Sequence, residues 1–315
     1  MMNVRVSIFH IHNSPHTTRP RAVVIGSEAP RRLRRTVKKN THIWMRPPRN
    51  WSALETLNYA QELNRHGGTS HLPSWGQTNI TSMLAPQADR VMTLGEWEDR
   101  WQENRIGFHQ SHVHKMLENN FDKVLAGRTG VRFFFPLCGK AVDMKWLADM
   151  GHSVVGVEIS EKAIQQFFEE NNMTYIEEPV PDIPGAKVYK SSEKNISLYQ
   201  CDLYNFSSSI EGQFGAIWDR GSLVAINPKD REKYAALIIS LMASDCRYLL
   251  DTLLYNPELY KGPPFFVPDE QVTCLFGERC DIELLQSVDA LTDRQRAWGL
   301  DYLTETVHLI SPKSN

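Results

Sequence analysis

The spacing of hydrophobic and polar positions changes character near residue 90. Up to about Arg90 no period is sustained: Arg, Pro, His, Ser and Asn mix, with Pro47-Pro48 and Gly67-Gly68 as breakers. This pattern predicts a disordered arm over 1–90 and a folded domain over 91–315. Thr93 can cap a helix in which Glu96 stands three residues on, and Trp97, Trp101 and Phe108 follow among charged residues, which predicts an amphipathic helical cover. The run Val131 to Phe135, bounded by Gly130 and Pro136, reads as a strand buried on both faces. A helix over Ala141 to Met150 stops at Gly151, and His152 to Glu158 is again a strand.

The alternation continues with a helix near Glu161 to Asn171, a Pro-rich excursion through Pro179, Pro181 and Pro184, and strands at Ile196 to Gln200 and Phe214 to Trp218. A helix near Lys229 to Met242, a strand at Tyr248 to Leu253 and a helix near Pro268 to Phe276 follow. The segments Asp281 to Val288 and Leu300 to Leu309 close the chain as an antiparallel pair. Strands separated by helices need right-handed crossovers, so the expected fold is α/β: a doubly wound, Rossmann-like, mostly parallel sheet of seven strands with an antiparallel final strand. No short repeat appears, and the single WD pair at Trp218-Asp219 does not recur, which excludes a propeller.

Charge divides the chain the same way. Residues 1–50 hold eleven Lys or Arg against one acid, Glu28, a surplus near +10; with a net charge of −2 the remainder carries about −12. An acidic domain is a poor nucleic-acid surface. The basic arm fits a nonfunctional extension, a mitochondrial targeting segment or a nucleic-acid contact through RRLRRTVKK, and Met83 or Met92 could begin a shorter product. No window approaches the roughly 18 apolar residues of a membrane span, and no secretory start is present, so we expect a cytoplasmic protein with no membrane partner. The five cysteines, Cys138, Cys201, Cys246, Cys274 and Cys280, contain no CxxC pair and read as reduced structural thiols. Cys274 and Cys280 lack a neighbouring histidine, and His112 and His114, two apart, point to different faces; no metal is expected.

In such a sheet, ligands gather at the carboxyl ends of strands where the order reverses, so the loop after the first strand matters most. It reads Pro136-Leu137-Cys138-Gly139-Lys140. A dinucleotide needs several glycines there to cradle a pyrophosphate. A single glycine, Gly139, points to a nucleoside without phosphates, although an ordinary tight turn has the same look. Glu158, 19 residues after Gly139, ends the second strand, where an acid accepts hydrogen bonds from ribose hydroxyls. S-adenosylmethionine offers such hydroxyls and no phosphate. Asp202 and Leu203, after the strand ending at Gln200, could meet the adenine amine and cover its ring. Trp218-Asp219-Arg220-Gly221 puts an aromatic, an acid and a cation at the same edge; Arg220 is the first catalytic candidate, with an ion pair to Asp219 or a neighbouring acid as its structural alternative. Trp97 and Trp101, four apart, share a helix face that could place π density near a sulfonium, or simply pack in the core.

Together, FFPLCGKAVDMKWLADMGHSVVGVEIS, NISLY, IWDRGSLVAINPKDR, GPPFFVP and AWGLDYL resemble the thiopurine S-methyltransferase family over about Val91 to Leu309. The resemblance implies a class I methyltransferase fold with an N-terminal cover, S-adenosylmethionine as methyl donor, and S-methylation of aromatic and heterocyclic thiols in xenobiotic metabolism. It implies cofactor contacts from Trp97, Trp101, Phe108, Leu137, Gly139, Glu158, Ile159, Asp202, Leu203 and Arg220. It implies an acceptor pocket of Phe108, Pro263, Pro264, Arg220 and Arg294, with Arg220 and Arg294 as the catalytic pair, in a monomer. The family usually has a short N-terminal arm, from which the long basic extension departs. Since an arginine is too basic to accept a proton readily, Arg220 and Arg294 are expected to orient or stabilise the thiolate, directly or through water. Methylation of selenium compounds or protein side chains, and noncatalytic binding of the cofactor, are the alternatives.

Overall fold

The computed structural model describes Gln87 and residues 90–314. The chain divides into two units, Met1–Ser70 and His71–Asn315. The first lies outside the described residues, as does the arm expected over 1–90 apart from Gln87 and Arg90; Gln87 is buried and hydrogen-bonded to the domain rather than part of a disordered arm.

The elements in chain order are α1 (Leu94–Gln102), α2 (Lys115–Leu125), β1 (Arg132–Phe135), α3 (Val142–Asp149), β2 (Ser153–Glu158), α4 (Glu161–Glu170), β3 (Tyr175–Pro179), β4 (Lys187–Ser191) and β5 (Ile196–Gln200). They continue with α5 (Ser208–Glu211), β6 (Phe214–Asp219), α6 (Arg231–Leu241), β7 (Met242–Leu254), α7 (Asp269–Phe276), β8 (Cys280–Asp289), α8 (Asp293–Ala297) and β9 (Thr304–Pro312). Among the described residues one sheet of nine strands has the order β3-β4-β5-β2-β1-β6-β7-β9-β8. The five central strands, β5 to β7 in that order, are parallel; the pairs at both edges are antiparallel.

The expected doubly wound sheet is present, but it has nine strands where seven were expected. The extra two, β3 and β4, are a hairpin within the segment read as a Pro-rich excursion. Pro179 sits at the end of an edge strand, where a missing N–H costs no ladder bond. Every residue of β3 is exposed, so no two-residue apolar alternation marks it in the sequence.

Strand β1 shows why the sheet is buried on both faces. Phe133 and Phe135 join the cluster that holds Met144, Leu147 and Phe167, whereas Phe134 turns to the other cluster and stacks on Phe206 and Phe214. Alternate side chains of a strand face opposite ways, so an unbroken aromatic run fits only between two helical layers. From β1 the chain moves outward through β2 to β5 on one side and resumes with β6 on the other. That reversal lies between β1 and β6 and opens the crevice at their carboxyl ends. Among the described residues no helix is long and apolar enough to cross a membrane.

Candidate active site

The loop after β1 is shaped by backbone that few residues tolerate. Leu137 and Gly139 both adopt positive φ, 46° and 51°, and the Cys138 N–H is pinned to the Val157 carbonyl of β2 at 2.9 Å. This folds the loop over Glu158, whose two oxygens accept the N–H groups of Gly139 and Ser160, each at 2.9 Å. A carboxylate oxygen has two lone pairs, so each retains one for a ligand. Burial pushes the Glu158 carboxyl up, opposed by those backbone donors. The Cys138 thiol is pushed well above its usual value by burial and then by the Glu158 charge, which makes it an inert packing group.

Over this loop lies α1. Its capping box is complete: the Thr93 hydroxyl accepts the Glu96 N–H and the Glu96 carboxylate accepts the Thr93 N–H. The helix thus fixed presents Trp97 and Trp101 edge-on to Phe108, with ring centroids 6.1 and 5.6 Å away. A Cβ on Gly139 would come within 2.9 Å of the Trp101 ring, so the glycine is needed for the cover as well as for the turn. Ile159, Asp202 and Leu203 complete this end of the cavity; Asp202 also caps the short turn after β5 through the Tyr204 N–H.

The other end is built around Arg220, just past β6. Its Nη1 donates to the Phe108 carbonyl at 2.7 Å, which ties the cover to the sheet. Arg220 is not paired with Asp219. That acid is fully buried and accepts from the hydroxyls of Tyr234 and Tyr248 and from the Leu223 N–H. The ion pair with Asp219 is therefore not formed: Asp219 turns into the core, and the guanidinium lines the cavity. Arg294, on α8, donates to the Gly107 carbonyl and lies 5.3 Å from the centre of the Trp298 ring. Pro263 and Pro264 line the cavity, their carbonyls held by the hydroxyls of Tyr260 and Tyr255 at 2.6 Å each. Gln87, fully buried, fastens this loop: it donates to the Tyr255 hydroxyl and the Tyr260 carbonyl and accepts the Phe266 N–H.

All the residues expected at the site, from Trp97 to Arg294, line one cavity of about 930 Å³. Small-molecule pockets run from about 300 to 1,000 Å³, and this one lies near the upper end of that range. Glu158 and Asp202 would repel a pyrophosphate, and the lone-glycine loop offers it no cradle; hydroxyls and a sulfonium beside the aromatic cover suit the same donor set. S-adenosylmethionine fits these residues.

Sequence reasoning missed His114, Asp143, Asp251 and Glu305, which line the same cavity. His114 Nε2 lies 3.3 Å from a Glu305 oxygen and 3.8 Å from an Asp251 oxygen. His114 had been weighed only against His112, whereas its partners lie on β7 and β9. A signal was present in the LLDTLL run, where Asp251 interrupts an apolar strand. The three groups are close enough to surround one ion. Asp251, however, is pushed well above the carboxylate range by burial and the Glu305 charge, and the positive charge of Arg220 acts on both acids. The Arg220 charge beside these groups opposes a further cation there.

Comparison with known proteins agrees with this geometry. Residues 92–313 match the family model described as thiopurine S-methyltransferase (TPMT). A probable thiopurine S-methyltransferase of Danio rerio is 65% identical over 231 residues, 73% of this chain and 100% of that protein. The thiopurine S-methyltransferases of Oryctolagus cuniculus and Rattus norvegicus are 52% and 51% identical over 227 residues, 72% of this chain and 93% and 95% of those proteins. Among solved structures, the 1,6-didemethyltoxoflavin-N1-methyltransferase of Burkholderia thailandensis aligns over 78% of this chain and 94% of its own, at 13% identity and a TM-score of 0.46. With a family model spanning the domain and relatives matched over nearly their whole length, the chain belongs to the thiopurine S-methyltransferase family.

Proposed function

We propose that this protein is an enzyme that methylates the sulfur of small aromatic and heterocyclic thiols, thiopurines among them, with S-adenosylmethionine as donor. One observation carries the reading: a single cavity joins the Glu158–Gly139 edge, suited to a nucleoside, to an apolar and cationic end formed by Phe108, Pro263, Pro264, Arg220 and Arg294. When bound, the donor supplies a methyl carbon already activated by its sulfonium.

The chain's residues therefore have mainly to align and exclude water. Glu158, Asp202 and the ring cover of Trp97, Trp101 and Leu203 orient the donor. Phe108 and the two prolines confine the acceptor. Arg220 and Arg294 favour its thiolate and hold it, since a guanidinium stays charged and offers donors without accepting a proton. Five unpaired cysteines, four of them buried, support a reducing compartment, and the cytoplasm and a monomeric state are part of the reading.

A labelled-methyl assay on thiophenols, selenols and protein tests the proposal. Transfer to the thiols supports it; transfer only to selenols or protein, or binding of the donor by calorimetry with no transfer at all, replaces it with one of the other readings.

A further inference from the structure

His114, Asp251 and Glu305 have no part in the methyl transfer just described, yet they meet inside the same cavity. Their arrangement is ordered. The Met116 N–H donates to His114 Nδ1, so that nitrogen is the acceptor and Nε2 carries the hydrogen that points at Glu305. His114 and Asp251 are 7% and 4% exposed; Glu305 retains 19% and is the member open to a ligand. Burial and then the Glu305 charge push the Asp251 carboxyl well above its usual value, against the pull of Arg220. Glu305, although burial opposes its charge, is held below the usual carboxylate value by His114 and Asp251. Glu305, the most exposed of the three, thus presents a carboxylate to the cavity with the His114 ring and the Asp251 carboxyl beside it. The other charged groups around it are Asp143 from α3, itself pushed up by burial, and Arg220 beyond β6. The acceptor end of the cavity thus has a positive pole and a negative one.

A plain aromatic thiolate has use for the positive pole only. A cyclic thioamide, in which a ring N–H adjoins C=S, presents a donor and a sulfur side by side and matches both. On the S-methyl transfer reading above, we propose that Glu305, positioned by His114 and Asp251, receives the ring N–H of a heterocyclic thione while Arg220 attends its sulfur, and so selects cyclic thioamides as the acceptor class. As the sulfur lone pair forms the S–CH3 bond, the donor sulfur keeps the electron pair of the bond that breaks. The N–H electrons close a ring C=N bond as the C=S π pair moves onto the methylated sulfur, and the proton passes to Glu305 and then to solvent when product leaves. Methylation makes the ring cationic and its N–H strongly acidic, so a weak carboxylate base suffices.

The test compares wild type with Glu305→Gln on pyridine-2-thione and on 4-nitrothiophenol, which has no N–H to give. Two quantities are read for each acceptor: kcat/KM, and Kd by calorimetry in the presence of S-adenosylhomocysteine. The ratio of thione to thiophenol kcat/KM should fall about tenfold or more, and the corresponding Kd ratio should rise about tenfold, the size of a lost charge-assisted hydrogen bond. Should Glu305→Gln fail to bind S-adenosylhomocysteine, His114→Gln, which withdraws the imidazole behind Glu305, carries the same expectation. Equal losses on both acceptors, or none, overturn the proposal. If wild type methylates neither acceptor, S-methyl transfer itself is refuted, and the Kd ratio still reports on Glu305.

Discussion

Replacing Glu158 by Gln removes one charge and adds one donor at a point where the structure has room for acceptors only. Both carboxylate oxygens accept a backbone N–H, from Gly139 and from Ser160. A glutamine has one oxygen, so either rotamer turns its NH2 toward one of those donors and leaves a buried N–H unpaired. An unpaired buried donor costs about 1–3 kcal/mol. The variant is relieved of burying a charge, which offsets part of that, so a net loss of about 1–2 kcal/mol is expected. For a domain of this size that lowers Tm by about 2–8 °C. The effect on the donor is separate: exchanging charge-assisted for neutral hydrogen bonds to its ribose weakens binding by about 1.5–3 kcal/mol, or roughly 10- to 100-fold in Kd. Thermal melting measures the first quantity and calorimetry with S-adenosylhomocysteine the second. A lowered Tm with an unchanged Kd would show that Glu158 only staples the loop, and would refute its assignment as the ribose acceptor.

Three further expectations follow from the same geometry. Gly139→Ala sets a methyl against Trp101 and strains a residue at positive φ, so donor Kd should rise at least about tenfold, by calorimetry, with a loss of about 1–3 kcal/mol in stability. Arg220→Lys keeps the charge but loses the planar fork that reaches the Phe108 carbonyl; kcat should fall about tenfold or more with donor affinity less affected, and wild-type kinetics would count against its role. His109, which lines the cavity, has its pKa lowered by burial and then by the Lys140 charge, so its imidazole should titrate below 6.5 when followed by NMR. Its folded value lies under its unfolded one; the stability it contributes is present above pH 6.5 and is lost as pH falls through the folded value, a slope that His109→Gln should flatten.

The sequence made the central sheet readable because its strands are buried on both faces and separated by capped helices. Thr93 with Glu96, the run from Val131 to Phe135 and the stop at Gly151 each name an element by local chemistry alone. Strand β3 was hidden because an exposed edge strand has no side to keep apolar, and β4 because its buried Val188 and Tyr189 are a two-residue apolar run between lysines. The donor end of the cavity was equally legible: Gly139, Glu158 and Asp202 lie just past successive strands, where topology brings ligands. The acceptor end was only partly so. Arg220 was legible, but an ion pair with Asp219 stayed open as the alternative, since nothing local shows that Tyr234 and Tyr248 claim that acid. Pro263, Pro264 and Arg294 came from family resemblance. His114, Asp251 and Glu305 escaped because their contact joins a helix start to two strands far along the chain, and no spacing rule spans such distances.

The Gln87 side chain acts as a remote rivet for the acceptor loop, five residues upstream of where the family match begins. A chain trimmed to residue 92 would keep every strand and the aromatic cover, so it should still grip the nucleoside. With the rivet gone, the prolines opposite would be less firmly set, and the penalty would fall on acceptor KM. The acceptor end of the cavity thus leans on a residue that lies outside the stretch shared with the family model.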